Sequence, residues 1–314
     1  MFSSPFTNNQ RAKAAAPPIA APAYFTACPR KDGLLGISSS EKLLDLTGTD
    51  KFKIRDRIAD FNLKLGKVGD GILILEDLAM MSQNAFDITL QLASAYITNN
   101  DFQKALDRYI IILDKATQRE AKQVNSLIAE LYIKWSLQFS EQHDYTKAME
   151  LLENALQYSP ISSEAYYCIA KNHYEQHNYA NTVECVSKAI NYDKDNQTMA
   201  KCLLLLSMAH HELGNFFEEK KALSDLLKLD ENNAEGLYRL GLMYVQQHDI
   251  KSAEECFKKT IALDPDKVQA KYNLAIIYEN SNKEKAKELY IEVLEQEPGF
   301  IEARNALTDL SATD

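Results

Sequence analysis

Small side chains return along most of this chain at a nearly constant interval. The first series of small sites comprises Ala59, Ala93, Ser136, Ala170, Ser207, Gly241 and Ala275. Their successive spacings are 34, 43, 34, 37, 34 and 34 residues. A second series with almost the same spacings comprises Gly71, Ala105, Ala148, Thr182, Glu219, Ala253 and Ala286. Two series that keep one period predict about seven repeated units, which stack on their neighbours instead of folding around one core.

Each repeat has the pattern of two helices, and this pattern is clearest between residues 237 and 265. The first half carries an apolar stripe at the spacing i, i+3, i+4 and i+7, which is one face of a helix. The stripe consists of Leu237, Leu240, Gly241 and Tyr244. In the second half, Ala253 and Phe257 mark another helix, and Pro265 ends it because proline lacks an N–H group. The pattern predicts an antiparallel helix hairpin whose small residues allow the two backbones to approach closely.

The order of Leu, Leu-Gly, Tyr, Ala, Phe and Pro in this stretch resembles the tetratricopeptide repeat, with Leu237 in place of the usual Trp. The resemblance covers about residues 51–310. It implies an all-α fold, a right-handed superhelical α-solenoid of antiparallel helix hairpins whose first helices line a concave face. We expect about seven repeats over residues 51–299 and a C-terminal capping helix within residues 300–314. The first repeat is the weakest, because Arg55 and Asn62 replace apolar residues there.

Two spacings in the first series are longer than 34 residues. The residues added after Ile112 are expected to lengthen either the second helix of that repeat or the first helix of the next one. The residues added at 192–197 are polar, and we expect them to form a longer turn.

The first 50 residues differ in composition from the repeats. Residues 1–36 contain five of the eight prolines and many Ala residues, so we expect a disordered tail. Residues 37–50 are expected to form a short helix that ends in a turn at residues 47–50. Three roles of the tail stay open. It is a free segment, an occupant of the groove of the array through the basic, Pro-rich residues 11–31, or a targeting signal in which Cys28 is the lipidated residue of a bacterial lipoprotein.

Charge and cysteine content limit the classes of function. The net charge is −10, and so acidic a chain lacks the basic stripe that a general nucleic-acid binder needs. No apolar run reaches the roughly 18 residues of a membrane span. The five cysteines include no CxxC pair, which favours reduced thiols and a cytoplasmic location.

Residues that could act in catalysis or bind a metal follow no known motif. His143, His177 and His248 occupy the same place in three repeats, between the two helices, and we interpret them as turn residues. The sequence contains no HExxH zinc motif, no glycine-rich phosphate loop and no Gly-x-Ser-x-Gly nucleophile elbow. We therefore expect no catalytic site, no cofactor and no metal site.

The first helix of each repeat has a further set of sites, three residues before and one, four and five residues after the small residue. The sites three residues before and one and four residues after the small residue are unusually apolar, and the resemblance assigns this face to a peptide-binding groove. The predicted groove comprises Tyr167, Lys171, Tyr174, Leu204, Met208, His211, Tyr238, Leu242, Val245 and Tyr272. The predicted rim comprises Glu130, Glu141, Glu164, Glu175, Glu212 and Glu235. An apolar groove edged by carboxylates favours a peptide with apolar anchors and Lys or Arg. Burial of this face between adjacent repeats is the alternative.

The sequence thus predicts a non-catalytic scaffold or adaptor that binds a peptide segment of a partner protein. Two alternatives stay open. One is an envelope-associated lipoprotein that acts in assembly, which requires lipidation of Cys28. The other is a regulatory subunit of an enzyme complex whose catalytic site lies on another chain.

Overall fold

The computed structural model describes residues 48–193, 196 and 198–312 of the 314-residue chain. The chain divides into two compact units, Met1–Lys53 and Ile54–Asp314, and the second unit carries the repeats. The predicted tail (residues 1–36) and the predicted short helix up to residue 47 lie outside the described residues. The predicted turn is wrong at residues 48–50, which belong to the first helix. The glycine at position 48 costs a helix only about 1 kcal/mol, which the following turns outweigh.

Fifteen α-helices and no strand occur in the described part of the chain. The helices are α1 (Gly48–Lys64), α2 (Val68–Met81), α3 (Phe86–Thr98), α4 (Phe102–Lys115), α5 (Gln118–Glu141), α6 (Tyr145–Tyr158), α7 (Ser163–Glu175), α8 (Tyr179–Tyr192), α9 (Met199–Glu212), α10 (Phe216–Leu229), α11 (Ala234–Gln246), α12 (Ile250–Leu263), α13 (Val268–Glu279), α14 (Lys283–Gln296) and α15 (Ile301–Ala312). The odd-numbered helices from α1 to α13 are the first helices of seven hairpins, and the helix after each is the second.

The helices pack on their neighbours in chain order. From α2 to α15, every helix contacts the next one. First helices of adjacent hairpins also meet, since α5 contacts α7, and α7 contacts α9. The array is therefore an α-solenoid of helix hairpins, as predicted, in which each hairpin covers the apolar face of its neighbour.

Both series of small residues lie in the interior. Every member of the two series is buried, including Glu219. The large residues four positions after the second series are also buried, namely Leu75, Tyr109, Leu152, Val186, Leu223, Phe257 and Tyr290. The constant interval in the sequence thus corresponds to the packing of one helix on the other inside each hairpin, where a larger side chain would separate the backbones.

The longest helix, α5, contains the residues that extend one spacing to 43. It has 24 residues and begins after Thr117, whose side chain accepts a hydrogen bond from the backbone N–H of Glu120. In return, the Glu120 carboxylate accepts a hydrogen bond from the Thr117 N–H at 2.8 Å, which completes a capping box. The added residues therefore lengthen the next first helix, one of the two predicted alternatives. The other predicted insertion starts one residue later than expected, because Tyr192 ends α8.

Helix α15 covers the last hairpin, as predicted. Its residues Ala303 and Leu310 are buried in the same apolar cluster as Tyr290 and Val293 of α14. A solenoid needs such a terminal helix, because its last hairpin has no further repeat to cover it.

The turn inside each of the first six hairpins contains a residue in the left-handed backbone region, and the turn of the seventh does not. In five consecutive hairpins this residue has φ between 59° and 72°. The five residues are Asn100, His143, His177, Gly214 and His248. The three histidines therefore lie in turns, as predicted. Glycine adopts this conformation without the steric cost that a Cβ atom imposes.

We expect His248→Gly to raise the free energy of unfolding by about 0.5–1 kcal/mol, since the left-handed conformation costs a non-glycine residue about 1–2 kcal/mol and the flexibility of unfolded glycine offsets part of the gain. Position 248 is the clearest choice, because His143 and His177 also share hydrogen bonds with the hydroxyls of Tyr145 and Tyr179 at 2.8 and 2.9 Å. Urea denaturation measures the change.

The matched control is Gly214→Ala, which adds a Cβ at the same turn position and should lower the stability by about 1 kcal/mol. If His248→Gly lowered the stability instead, the imidazole would contribute more to the turn than its backbone conformation costs.

Candidate functional site

The predicted groove residues lie on four first helices. Helix α7 carries the residues at 167, 171 and 174, helix α9 those at 204, 208 and 211, helix α11 those at 238, 242 and 245, and helix α13 carries Tyr272. Lys171 and Val245 are exposed, and the other eight residues are half-buried. None of the ten is enclosed by the neighbouring repeats, so the described surface leaves part of each side chain available for contact.

Residues from three of these helices lie close enough to influence one another. Burial raises the pKa of Tyr174 on α7, the carboxylate of Glu212 on α9 raises it further, and the guanidinium of Arg239 on α11 lowers it. A tyrosine is therefore within electrostatic range of charges one and two repeats away. The structure brings the C-terminal parts of α7 and α9 and the middle of α11 onto one side of the array.

The tyrosines of the predicted groove also pack against their own hairpins. The ring centroid of Tyr238 lies 6.0 Å from that of Phe257, and the centroid of Tyr272 lies 5.8 Å from that of Tyr290. Burial raises the pKa of Tyr167, Tyr238 and Tyr272, so their hydroxyls are neutral at physiological pH. Each ring contributes to the core while leaving part of its surface to solvent, so packing between helices accounts for only part of each side chain.

The predicted rim differs between its members. Five of its carboxylates are exposed, namely Glu130, Glu141, Glu164, Glu175 and Glu212. Glu235 is half-buried and accepts hydrogen bonds from Arg239 Nε at 2.8 Å and Lys267 Nζ at 2.6 Å. Two cations therefore already compensate this carboxylate, and the acidic character of the rim comes from the other five.

Two polar pairs near this face were not predicted from the sequence. Ser140 Oγ donates to Asn172 Oδ1 at 2.8 Å and thereby links α5 to α7. His211 Nδ1 lies 3.2 Å from both carboxylate oxygens of Glu219, which is only 2 % exposed. The sequence does contain a signal for the second pair, because Glu219 stands where other repeats have Gly, Ala or Thr and therefore needs a polar partner.

The cysteines in the part of the chain that the structure describes are buried or half-buried thiols. All four described cysteines are free. Burial raises the pKa of Cys168 to about 12 and that of Cys202 to about 11, so both thiols are protonated at neutral pH and are poor nucleophiles.

Within the described ranges, no group of three or more His, Cys, Asp or Glu side chains is arranged to hold a metal ion. None of the described helices has both the length and the apolar composition required to cross a membrane.

The stacked hairpins define the class of the protein as a helical-repeat α-solenoid. Family models of the tetratricopeptide repeat match residues 234–267 and 269–299. Both repeats follow the predicted pattern through to its final proline, at Pro265 and Pro298, and the preceding hairpins have the same interior arrangement of small and large residues. These two stretches of the chain are therefore tetratricopeptide repeats, and the array of helix hairpins fits a protein of that type.

Solved structures with the same fold are distant in sequence. The C-terminal part of a TPR repeat-containing protein from Cytophaga hutchinsonii is 17% identical, with a TM-score of 0.57, over 80% of this chain and 99% of that chain. The pilF protein of Pseudomonas aeruginosa is 18% identical, with a TM-score of 0.52, over 60% of this chain and 91% of that chain. At these identities the likeness concerns the fold alone. A comparison with curated proteins finds no match.

Proposed function

We propose that this protein is a non-catalytic scaffold that binds a peptide segment of a partner protein on the face formed by its first helices. The observation that carries the proposal is a set of aliphatic side chains left in solvent on this face. Leu137, Val245 and Ile276 are 39 %, 36 % and 41 % exposed. They lie on α5, α11 and α13, each one or four residues after the small site of its repeat. Repeated apolar exposure on one helix face is typical of a protein-binding surface.

The charges of the same face indicate the chemistry of the ligand. Glu141, Glu175 and Glu212 follow one another at the C-terminal ends of α5, α7 and α9, and all three are exposed. Carboxylates beside apolar side chains favour a segment that carries both apolar anchors and Lys or Arg residues. We further propose that the protein acts in the cytoplasm and that any catalysis connected with it resides on a partner.

Fluorescence anisotropy with two labelled peptides of about 12 residues tests the proposed ligand class. The first peptide alternates Leu and Tyr anchors with Lys, and the second has the same anchors with Glu in place of Lys. We expect the basic peptide to bind at least about tenfold more tightly, and its affinity to fall as salt screens the carboxylates.

Variants locate the binding surface. The triple variant Leu137→Lys, Val245→Lys, Ile276→Lys should weaken binding of the basic peptide at least about tenfold, because it places cations at the apolar anchor sites. The matched control is Ile110→Lys, a side chain 48 % exposed on the second helix α4. Equal binding of the two peptides would reject the proposed ligand chemistry. An equal loss in the triple variant and the control would reject the proposed surface.

A further inference from the structure

A cavity of about 290 Å³ lies between α10, the second helix of the fifth hairpin, and α11, the first helix of the sixth. We name it the α10–α11 cavity. Cavities that enclose a drug-sized molecule measure about 300–1,000 Å³, so this one fits one or two side chains of a peptide. Its lining residues are Lys220, Ser224, Leu227 and Lys228 of α10 and Leu240 and Tyr244 of α11.

The cavity is separate from the face formed by the first helices, which we name the first-helix face. Successive residues of an α-helix are rotated by about 100° around its axis. Leu240 and Tyr244 stand two positions before and two positions after Leu242, so both lie on the side of α11 opposite to it. A ligand in the cavity and a ligand on the first-helix face therefore occupy different sides of this helix.

The two lysines of the cavity occur together only in the fifth hairpin. At the site of Lys220 the other repeats have Ile72, Leu106, Met149, Val183, Glu254 and Lys287. At the site of Lys228 they have Met80, Asp114, Gln157, Asn191, Ala262 and Glu295. Ile72 and Leu106 are buried, whereas Lys220 is exposed and leaves the cavity beside it unfilled. The cavity and its charge thus distinguish this hairpin from the packing that the repeats share.

The charge in the cavity is positive, because its lining has two ammonium groups and no carboxylate. The Lys220 ammonium lies 5.2 Å from the centroid of the Tyr244 ring, and this contact positions it at the cavity wall. The Lys228 ammonium lies 2.9 Å from Asp225 Oδ1, and the two side chains are 73% and 41% exposed. Such an exposed pair contributes at most about 1 kcal/mol, so Lys228 can exchange Asp225 for the carboxylate of a ligand.

Acidic residues outside the lining restrict the arrangement of an acidic ligand. An adjoining cavity of about 330 Å³ shares the three apolar lining residues and also contains Glu231, Glu255 and Lys259. Asp249 is within electrostatic range of Lys220, but its carboxylate already accepts two hydrogen bonds at the start of α12. The acidic residues of a ligand are therefore favoured on only one side of its apolar anchor, the side of the two cavity lysines.

We propose that the α10–α11 cavity binds an acidic segment of a partner protein in which a large apolar residue has Asp or Glu on one side. The apolar side chain packs on Leu227, Leu240 and Tyr244, and the carboxylates pair with Lys220 and Lys228. The charge of this segment is opposite to that of the ligand proposed for the first-helix face. One array thus binds two segments of different chemistry on different sides.

Methyl NMR spectroscopy of the full chain, labelled at leucine, tests the proposal with two blocked peptides of about five residues. The acidic peptide has a single Phe with a pair of Asp residues on one side, and the basic peptide has Lys in place of Asp. We expect the acidic peptide to shift the methyl resonances of Leu227 and Leu240 with a dissociation constant on the order of 0.1–1 mM. The basic peptide should bind there at least about tenfold more weakly. The methyl resonances of Leu242 report separately on the first-helix face.

Charge reversal locates the site. The double variant Lys220→Glu, Lys228→Glu should weaken binding of the acidic peptide at least about tenfold. Both substitutions are compatible with the fold of a hairpin, because Glu254 and Glu295 occupy the equivalent sites of the sixth and seventh repeats.

The matched control is Lys221→Glu, Lys251→Glu, which changes the net charge equally at exposed lysines outside the cavity lining. It should weaken binding less than about threefold. Equal binding of the two peptides at Leu227 and Leu240, or an equal loss in the two double variants, would overturn the proposal. So would dimerisation of the wild-type chain that the cavity variant abolishes, because a second copy would then be the occupant. A first-helix face that binds no peptide would leave these outcomes unchanged.

Discussion

Replacing Gly241 with serine lowers the free energy of unfolding of the α11–α12 hairpin by about 1–3 kcal/mol. A Cβ atom at this position would lie 2.7 Å from Cε1 and 3.0 Å from Cδ1 of Phe257. The ring has little room to move, because Phe257 is fully buried and packs against Tyr238. The added atoms therefore either push the two helices apart or force the ring away from its preferred rotamer.

The third repeat shows which residue at the site of Phe257 is compatible with a serine at the site of Gly241. There, Ser136 is combined with Leu152 instead of a phenylalanine, and its hydroxyl donates to the carbonyl of Ile133 at 2.7 Å. Phe257→Leu should make the same room in the sixth repeat. We expect the double variant Gly241→Ser, Phe257→Leu to be more stable, by about 1 kcal/mol or more, than the sum of the two single losses predicts.

Hydrogen exchange of the α11 and α12 amides measures these changes locally, because a solenoid can open one repeat at a time. Urea denaturation of the whole chain provides the global change. Ala93→Ser is the matched control, since it adds a hydroxyl at the equivalent site of the second repeat, where a Cβ is already present. We expect it to cost less than about 1 kcal/mol. Equal losses for the two serine substitutions, or strict additivity in the double variant, would contradict a steric cause.

The fold was predictable because each hairpin needs small residues at two fixed places. At Ala170 and Ala253, for example, a larger side chain would separate the helices. The constant spacing of small residues in the sequence therefore indicates where the helices of each hairpin pack together. The long α5 was predictable in principle, since Thr117 and Glu120 form the Thr-x-x-Glu pattern of a capping box. The spacing alone did not show which helix contains the added residues, because an interval gives only the number of residues between two sites.

The candidate site was predictable only in part. Helical periodicity placed residues such as Leu242 and Val245 on a partly exposed face, because that depends on one helix alone. The contact of Glu235 with Lys267 joins residues 32 positions apart and depends on how two repeats stack.

The second large effect concerns the pair formed by His211 and Glu219. His211→Ala should lower the free energy of unfolding by about 1–3 kcal/mol, because it leaves the Glu219 carboxylate buried without the imidazole nitrogen that now lies 3.2 Å away. His211→Gln keeps a side chain that can donate a hydrogen bond to the carboxylate, and it should recover part of the loss. Urea denaturation and hydrogen exchange of the α9 and α10 amides measure both variants.

The double variant His211→Ala, Glu219→Ala separates this pairing from a simple loss of packing. Alanine is the residue of four other repeats at the site of Glu219, so the double variant has the common interior of a hairpin and no buried charge. We expect the double variant to be more stable than His211→Ala alone, although a second side chain has been truncated to alanine. If instead the two substitutions lowered the stability additively, the imidazole would act through its contact with Phe216, and the buried carboxylate would be stabilised by other groups of the fifth hairpin.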